Sequence, residues 1–281
     1  MYESVTNVIL ELGGKRSRME PTLFFWRGEG LELIGVLCIH VDDFCYGGNK
    51  EFNEQVIGNF RKRLQVGEIQ SRKFCYIGVD VEQNEGEILL DQGNYVNKFR
   101  LPMGSDFKDR EGLNAEEMKI YRGIIGRLNW VVQHSRPDLA FEVSEGGMAF
   151  QEAKGSDMVK LLKAAKKMKK ETYKLRIQKL KGKVFWDVYS DASYGNVGED
   201  KSQIGYIISL RDGFGNRCPI FWKSVRAKRV ARTVVEAEAL GFCEAAEMTI
   251  YLNKLMAEVI GTNTAEILVR TDNIDAVTRF G

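Results

Sequence analysis

The chain has 281 residues, 44% of them apolar, with a formal charge of +2 at pH 7 and a pI near 8.2. That length and apolar content suffice for two ordinary cores, and so small a net charge leaves any affinity for nucleic acid to local clustering. Five scattered cysteines, odd in number and without a Cys-x-x-Cys pair, read as reduced intracellular thiols, and no apolar run approaches a membrane span or a signal-peptide core. The expectation is an intracellular protein, of cytoplasm or nucleus, with no membrane partner.

Taken in order, Tyr2, Val5, Val8, Ile9 and Leu12 recur at helical spacing and end at Gly13-Gly14, which predicts an amphipathic helix. A basic loop, Lys15 to Arg18, and a strand, Thr22 to Trp26, follow. Leu33 to Val41 is an apolar, β-prone run that climbs to Asp42-Asp43 and descends through Phe44 to Tyr46 into Gly47-Gly48, which predicts a hairpin with two carboxylates at its tip. Adjacent carboxylates repel, and a divalent metal relieves that; Asp is equally a common turn residue, so the hairpin alone leaves both readings open.

The box His40-Val41-Asp42-Asp43-Phe44 resembles the Tyr-Val-Asp-Asp box of reverse transcriptases in copia-type LTR retrotransposons. Met19 to Phe24 resembles the family's Asp-Pro-x-Leu-Phe segment, with Glu20 in place of Asp. Residues 51–64 are predicted helical with Arg61, Lys62 and Arg63 outward. Phe74 to Glu82 and Glu87 to Leu90 are predicted to pair as a hairpin turned at Asn84-Glu85-Gly86. Within it Ile77-Gly78 matches the family's Leu-Gly at the primer end, where small size lets backbone approach backbone; by itself it reads as a strand with a Gly bulge. Asn94 to Phe99 resembles the first thumb helix. After a polar linker at 103–116, Tyr121 to Trp130 and Ser135 to Ser144 resemble the Tyr-Arg-x-x-x-Gly-x-Leu and Thr-Arg-Pro-Asp-Ile-Ala segments, and predict two helices broken at Pro137.

Between Gly155 and Lys183 the charge is one-sided. Val159, Leu162, Ala165 and Met168 are predicted to form the buried stripe of a helix, opposite a face that includes Lys163, Lys166, Lys167 and Lys170. That face is either solvated surface or a track for phosphates.

The last third sets Asp191 at the end of a strand, Val184 to Gly195, then two more strands, a strong helix from Val235 carrying Glu238, and a strand, Ile267 to Arg270, delivering Asp272. Acids at strand ends and on a facing helix can converge on two metal ions. The order resembles the copia-type ribonuclease H at Tyr189 to Ala192, Trp222 to Glu238 and Thr271-Asp272-Asn273. Arg226 and Arg229, ahead of the helix, hold substrate backbone or balance charge.

The resemblance implies an α+β chain: a partial reverse-transcriptase palm and thumb (1–105), a helical connection with the basic helix (106–183), and a truncated α/β ribonuclease H-like domain (184–281). It implies Mg²⁺ or Mn²⁺ held by Asp42 and Asp43 in one site and by Asp191, Glu238 and Asp272 in the other. It also implies an RNA/DNA hybrid or primer-template partner contacted by Ile77, Gly78, Lys163, Lys166, Lys167, Lys170, Arg226 and Arg229. The family's upstream polymerase Asp and fourth ribonuclease H carboxylate have no counterpart here, Asp275 being a poor substitute for the latter. Polymerase activity is therefore not expected, and the alternative is a catalytically inactive, host-retained nucleic-acid-binding or interaction protein.

Overall fold

The structure is a computed structural model that describes residues 2–64, 66–102, 107–108, 110–197 and 201–272, with side chains from Val5 onward except at 196, 197 and 201. Asp275 and Asn273 lie outside the described residues. The chain forms two compact units, Met1–Ile77 with Met248–Glu266, and Gly78–Glu247 with Ile267–Gly281. The long helix that carries Glu238 contributes residues to both units.

In the first unit, helix α1 (Tyr2–Glu11) precedes an antiparallel sheet in the order β1 (Lys15–Arg16), β2 (Leu23–Arg27), β3 (Leu33–His40), β4 (Asp43–Gly48). The basic loop thus contributes a two-residue strand, Lys15 pairing with Phe25 and Arg16 with Phe24. Ile9, Phe24, Trp26, Ile34, Leu37, Ile39, Phe52 and Phe60 form one core. Gly35 and Gly48 are required there, since a Cβ on either would lie 2.2 or 2.3 Å from the Phe52 ring. The second helix opens as a π-helical turn (Phe52–Ile57) and continues as α2 (Gly58–Arg63), where Arg61, Lys62 and Arg63 are exposed as predicted and Arg63 pairs with Glu11 at 2.6 Å. Strand β5 (Lys73–Tyr76) closes the segment.

The run from Phe74 to Glu82 is not one strand. Ile77 and Gly78 take φ of +45° and +79°, a left-handed conformation incompatible with extended pairing, and divide β5 from β6 (Val79–Gln83). In the second unit β6 pairs antiparallel with β7 (Glu87–Asp91), and β7 with β8 (Leu175–Gln178). Lys174 and Arg176, read as part of the basic run, are ion-paired to Glu82 and Glu87 beside that sheet. Helices α3 (Gly93–Lys98), α4 (Ala115–His134), α5 (Ala140–Met148) and α6 (Gly155–Lys170) enclose a core around Tyr121, Leu128, Leu139, Met158 and Leu161. Asn114 and Glu117 cap α4 reciprocally, each side chain accepting from the other's backbone N–H. Pro137 starts the 3-10 turn ahead of α5, as predicted for the helix break.

The third sheet runs β11–β10–β9–β12: β9 (Val184–Val197), β10 (Lys201–Asp212) and β11 (Arg217–Arg226) form an antiparallel meander, helix α7 (Val234–Ile260) crosses over, and β12 (Ile267–Arg270) returns parallel to β9. This mixed helix-and-sheet architecture is the α+β class the sequence implied. Trp186, Val188, Ser190 and Ala192 are buried, and Gly241 of α7 sits so close that a Cβ there would lie 2.9 Å from Ser190 Oγ. The even-numbered residues of β9 therefore face α7.

Candidate metal centre and nucleic-acid contacts

Asp191, Glu238 and Asp272 converge, each offering a carboxylate oxygen, with all three oxygens within 4.8 Å of one another. Three local features place them. β9 does not end at Asp191 as predicted, but runs on to Val197 in its hairpin with β10; Asp191 instead lies two residues beyond Tyr189, the last partner of β12. Asp272 follows the last residue of β12 by two, and Glu238 occupies the second turn of α7. Sequence positions 191, 238 and 272 thus meet because a parallel strand ends beside a longer one.

The three differ in environment. Glu238 is buried, with 6% of its surface exposed, whereas Asp191 and Asp272 are exposed. Burial, then the Asp191 charge, then that of Asp272, push the Glu238 carboxyl above its ordinary range, while a hydrogen bond with the Ala192 backbone opposes this. Three mutually repelling oxygen donors, one of them shielded from water, are the donor set a hard divalent cation satisfies, so the residues present fit Mg²⁺ or Mn²⁺. Glu236 is exposed and takes another role, accepting from the Arg232 backbone N–H at 2.5 Å.

Asp42 and Asp43 stand exposed at the turn between β3 and β4, where His40 pairs with Asp43. Among the described residues no further His, Cys, Asp or Glu joins them in a three-ligand group. Val41, a β-branched residue, has φ of +53° in this turn, a conformation that costs energy wherever it occurs. Ile77 and Gly78 are likewise left-handed, and Trp130 lies 3.4 Å from where a Gly78 Cβ would be.

On α6 the buried stripe is Met158, Leu161, Ala164, Ala165 and Met168, so Ala165 and Met168 are buried as predicted while Met158 and Leu161 take the places expected of Val159 and Leu162. Packing against α4 and α5 selects two adjacent rows of the helix, which leaves Val159 and Leu162 half-buried at their margin. Lys163, Lys166 and Lys170 are exposed, whereas Lys167 is half-buried and lies 3.6 Å from Asp138 and 3.8 Å from Glu142. Arg229 is exposed in the loop before α7, and Arg226 is half-buried at the end of β11.

The sequence reading missed Asp187. It is fully buried, yet receives hydrogen bonds from Arg270 Nε at 2.6 Å and an Arg217 terminal nitrogen at 2.9 Å. A lone carboxylate inside an apolar strand signals such a partner, although not which one.

No protein-family model matches the chain. Along 98% of its length it is similar to the retrovirus-related Pol polyproteins from transposons RE1 and RE2 of Arabidopsis thaliana, at 23% identity to each. The chain spans 19% of the length of these curated relatives. A solved structure of a foamy viral protease-reverse transcriptase in complex with RNA/DNA hybrid aligns with 87% of this chain and 31% of that one, at 11% identity and a TM-score of 0.49. No helix among the described residues is long and apolar enough to cross a membrane.

Proposed function

We propose that this chain, a relative of retrotransposon Pol polyproteins of copia type, acts on nucleic acid through its third sheet, cleaving the RNA strand of an RNA/DNA hybrid with Mg²⁺ or Mn²⁺. The observation that carries this reading is the convergence of Asp191, Glu238 and Asp272 within 4.8 Å. Bound there, a divalent cation supplies positive charge that steadies the attacked phosphate and makes water more acidic. The chain's own residues prepare that chemistry. Burial against the sheet and the Ala192 contact fix the Glu238 carboxylate, while the exposed Asp191 and Asp272 leave the solvent side open to a phosphodiester.

The test is hydrolysis of the RNA strand of a hybrid by the purified chain with Mg²⁺ or Mn²⁺, against Asp191→Asn. Cleavage abolished by that substitution supports the reading; no cleavage by folded wild-type protein overturns it. A second reading, a binding protein without chemistry, is favoured by the exposed Lys163, Lys166 and Lys170. Changing these three to Glu is expected to weaken hybrid binding steeply at low salt, and undiminished affinity would remove the lysine face from the interface.

A further inference from the structure

Four side chains on β9, β10, β11 and β12 gather on one side of the third sheet. By alternation Asp187, Tyr189 and Asp191 share a side of β9. Asp187 is fully buried and is approached by three guanidinium groups: Arg270 at 2.6 Å, Arg217 at 2.9 Å and Arg211 at 3.6 Å. The arginines themselves keep 44%, 39% and 32% of their side-chain surface exposed. Arg217 and Arg270 also lie over the Tyr189 ring, at 5.5 and 5.9 Å from its centroid, and Arg211 over Phe185 at 5.7 Å.

One carboxylate neutralises one of three guanidinium charges, which leaves a local excess of about two positive charges held rigid by ring stacking and hydrogen bonds. Arg211 Nε is buried without a hydrogen-bond acceptor. That atom is closed to an outside ligand, so binding falls to the exposed surface of the three arginine side chains. Balancing the Asp187 charge needs one arginine and satisfying its two oxygens takes Arg270 and Arg217, which leaves Arg211, at 3.6 Å, without a demand from Asp187.

We propose that Arg211, Arg217 and Arg270, braced by Asp187 and Tyr189, form an anion-binding surface for the nucleic-acid backbone, on the side of β9 that also bears Asp191. Four residues of strand separate Asp187 from Asp191, about 13 Å, so one polynucleotide can engage both. Planar guanidinium forks match phosphate oxygens two at a time, and the aromatic braces fix their orientation. The proposal rests on the nucleic-acid reading above but not on cleavage.

The experiment is hybrid binding in EDTA across a salt series, in an Asp191→Asn background so that turnover plays no part. Arg217→Gln and Arg270→Gln are each expected to weaken binding about five- to tenfold near 0.1 M salt and to flatten the log K against log salt slope by about 0.7–0.9. Asp187→Asn, whose amide oxygen can still accept from an arginine while the competing negative charge is gone, is expected to tighten binding. If an arginine variant fails to fold, Asp187→Asn/Arg270→Gln, which leaves no buried charge to balance, is compared with Asp187→Asn by the same criteria. Unchanged affinity and slope in folded variants overturn the proposal even if the wild type cleaves RNA. Competition by polyglutamate equal to that by unlabelled hybrid overturns it too, assigning the surface to an acidic protein.

Discussion

Glu238→Gln removes the buried member of the acid cluster and is expected to stabilise the metal-free protein while abolishing its stabilisation by Mg²⁺. Two unit charges with oxygens 4.8 Å apart repel by about 0.9 kcal/mol at the dielectric constant of water and by about 3.5 kcal/mol at an effective value of about 20. Glu238 is buried and its two partners exposed, so a net gain of about 1–3 kcal/mol is expected once screening is allowed for. The pH dependence follows from the raised carboxyl. In the range above its ordinary value the unfolded chain has already lost this proton and the folded chain still holds it, so wild-type stability falls as pH rises until the folded group has ionised. The Gln variant lacks that component of the decline. Urea denaturation in EDTA at pH 5 and pH 8 reads the first effect. Repeating it at pH 8 with Mg²⁺ reads the second, because a ligand bound only by the folded state stabilises by mass action. A variant less stable than wild type in EDTA at pH 8, or stabilised by Mg²⁺ to the same extent, would refute the reasoning.

Val41→Gly relieves a left-handed β-branched residue worth about 1–2 kcal/mol, offset by the extra backbone entropy of glycine at about 0.5–1 kcal/mol. A net gain of about 0.5–1 kcal/mol in chemical denaturation is expected, and a loss would mean that the turn changes shape. Gly155→Ala would normally favour a helix, but here the new Cβ would lie 1.7 Å from the Phe107 carbonyl oxygen. The structure therefore predicts a destabilisation of about 2–3 kcal/mol, and a more stable variant in the same assay would contradict the packing of α6.

Elements whose pattern is local were legible in the sequence. Alternation and turn chemistry located β3, β4 and the Asp42-Asp43 tip, and Pro137 marked a helix start. The acid cluster was legible as a set of residue types in a stated order, although Asp191 lies within a strand rather than at its end, because nothing local reports how far a hairpin partner extends. The left-handed turn at Ile77 was not legible for a related reason: an isoleucine in an apolar β-prone run advertises extended backbone, and the turn it adopts opposes its own preference. On α6 several helical stripes were apolar enough, and the neighbouring helices chose between them. Asp187 shows where local reading stops, since Arg211, Arg217 and Arg270 come from three different strands.

Arg27 of β2 donates to the carbonyls of Glu258, Val259 and Ile260 in the last turn of α7, and Ser17 and the Arg18 N–H donate to the Glu258 carboxylate. These contacts span 231 to 241 positions of chain. During vectorial synthesis, residues 1–77 leave the ribosome roughly 10–40 s before the helix end they hold, at about 5–20 residues per second. For that interval the guanidinium of Arg27 and the hydroxyl of Ser17 lack their acceptors on α7, and the first unit is incomplete. Such contacts make this unit slow to finish folding, because loop closure comes before any return in binding. The amino-terminal segment therefore has to wait for the far end of the chain, and chaperone occupancy of nascent chains is expected to persist until residue 260 has emerged.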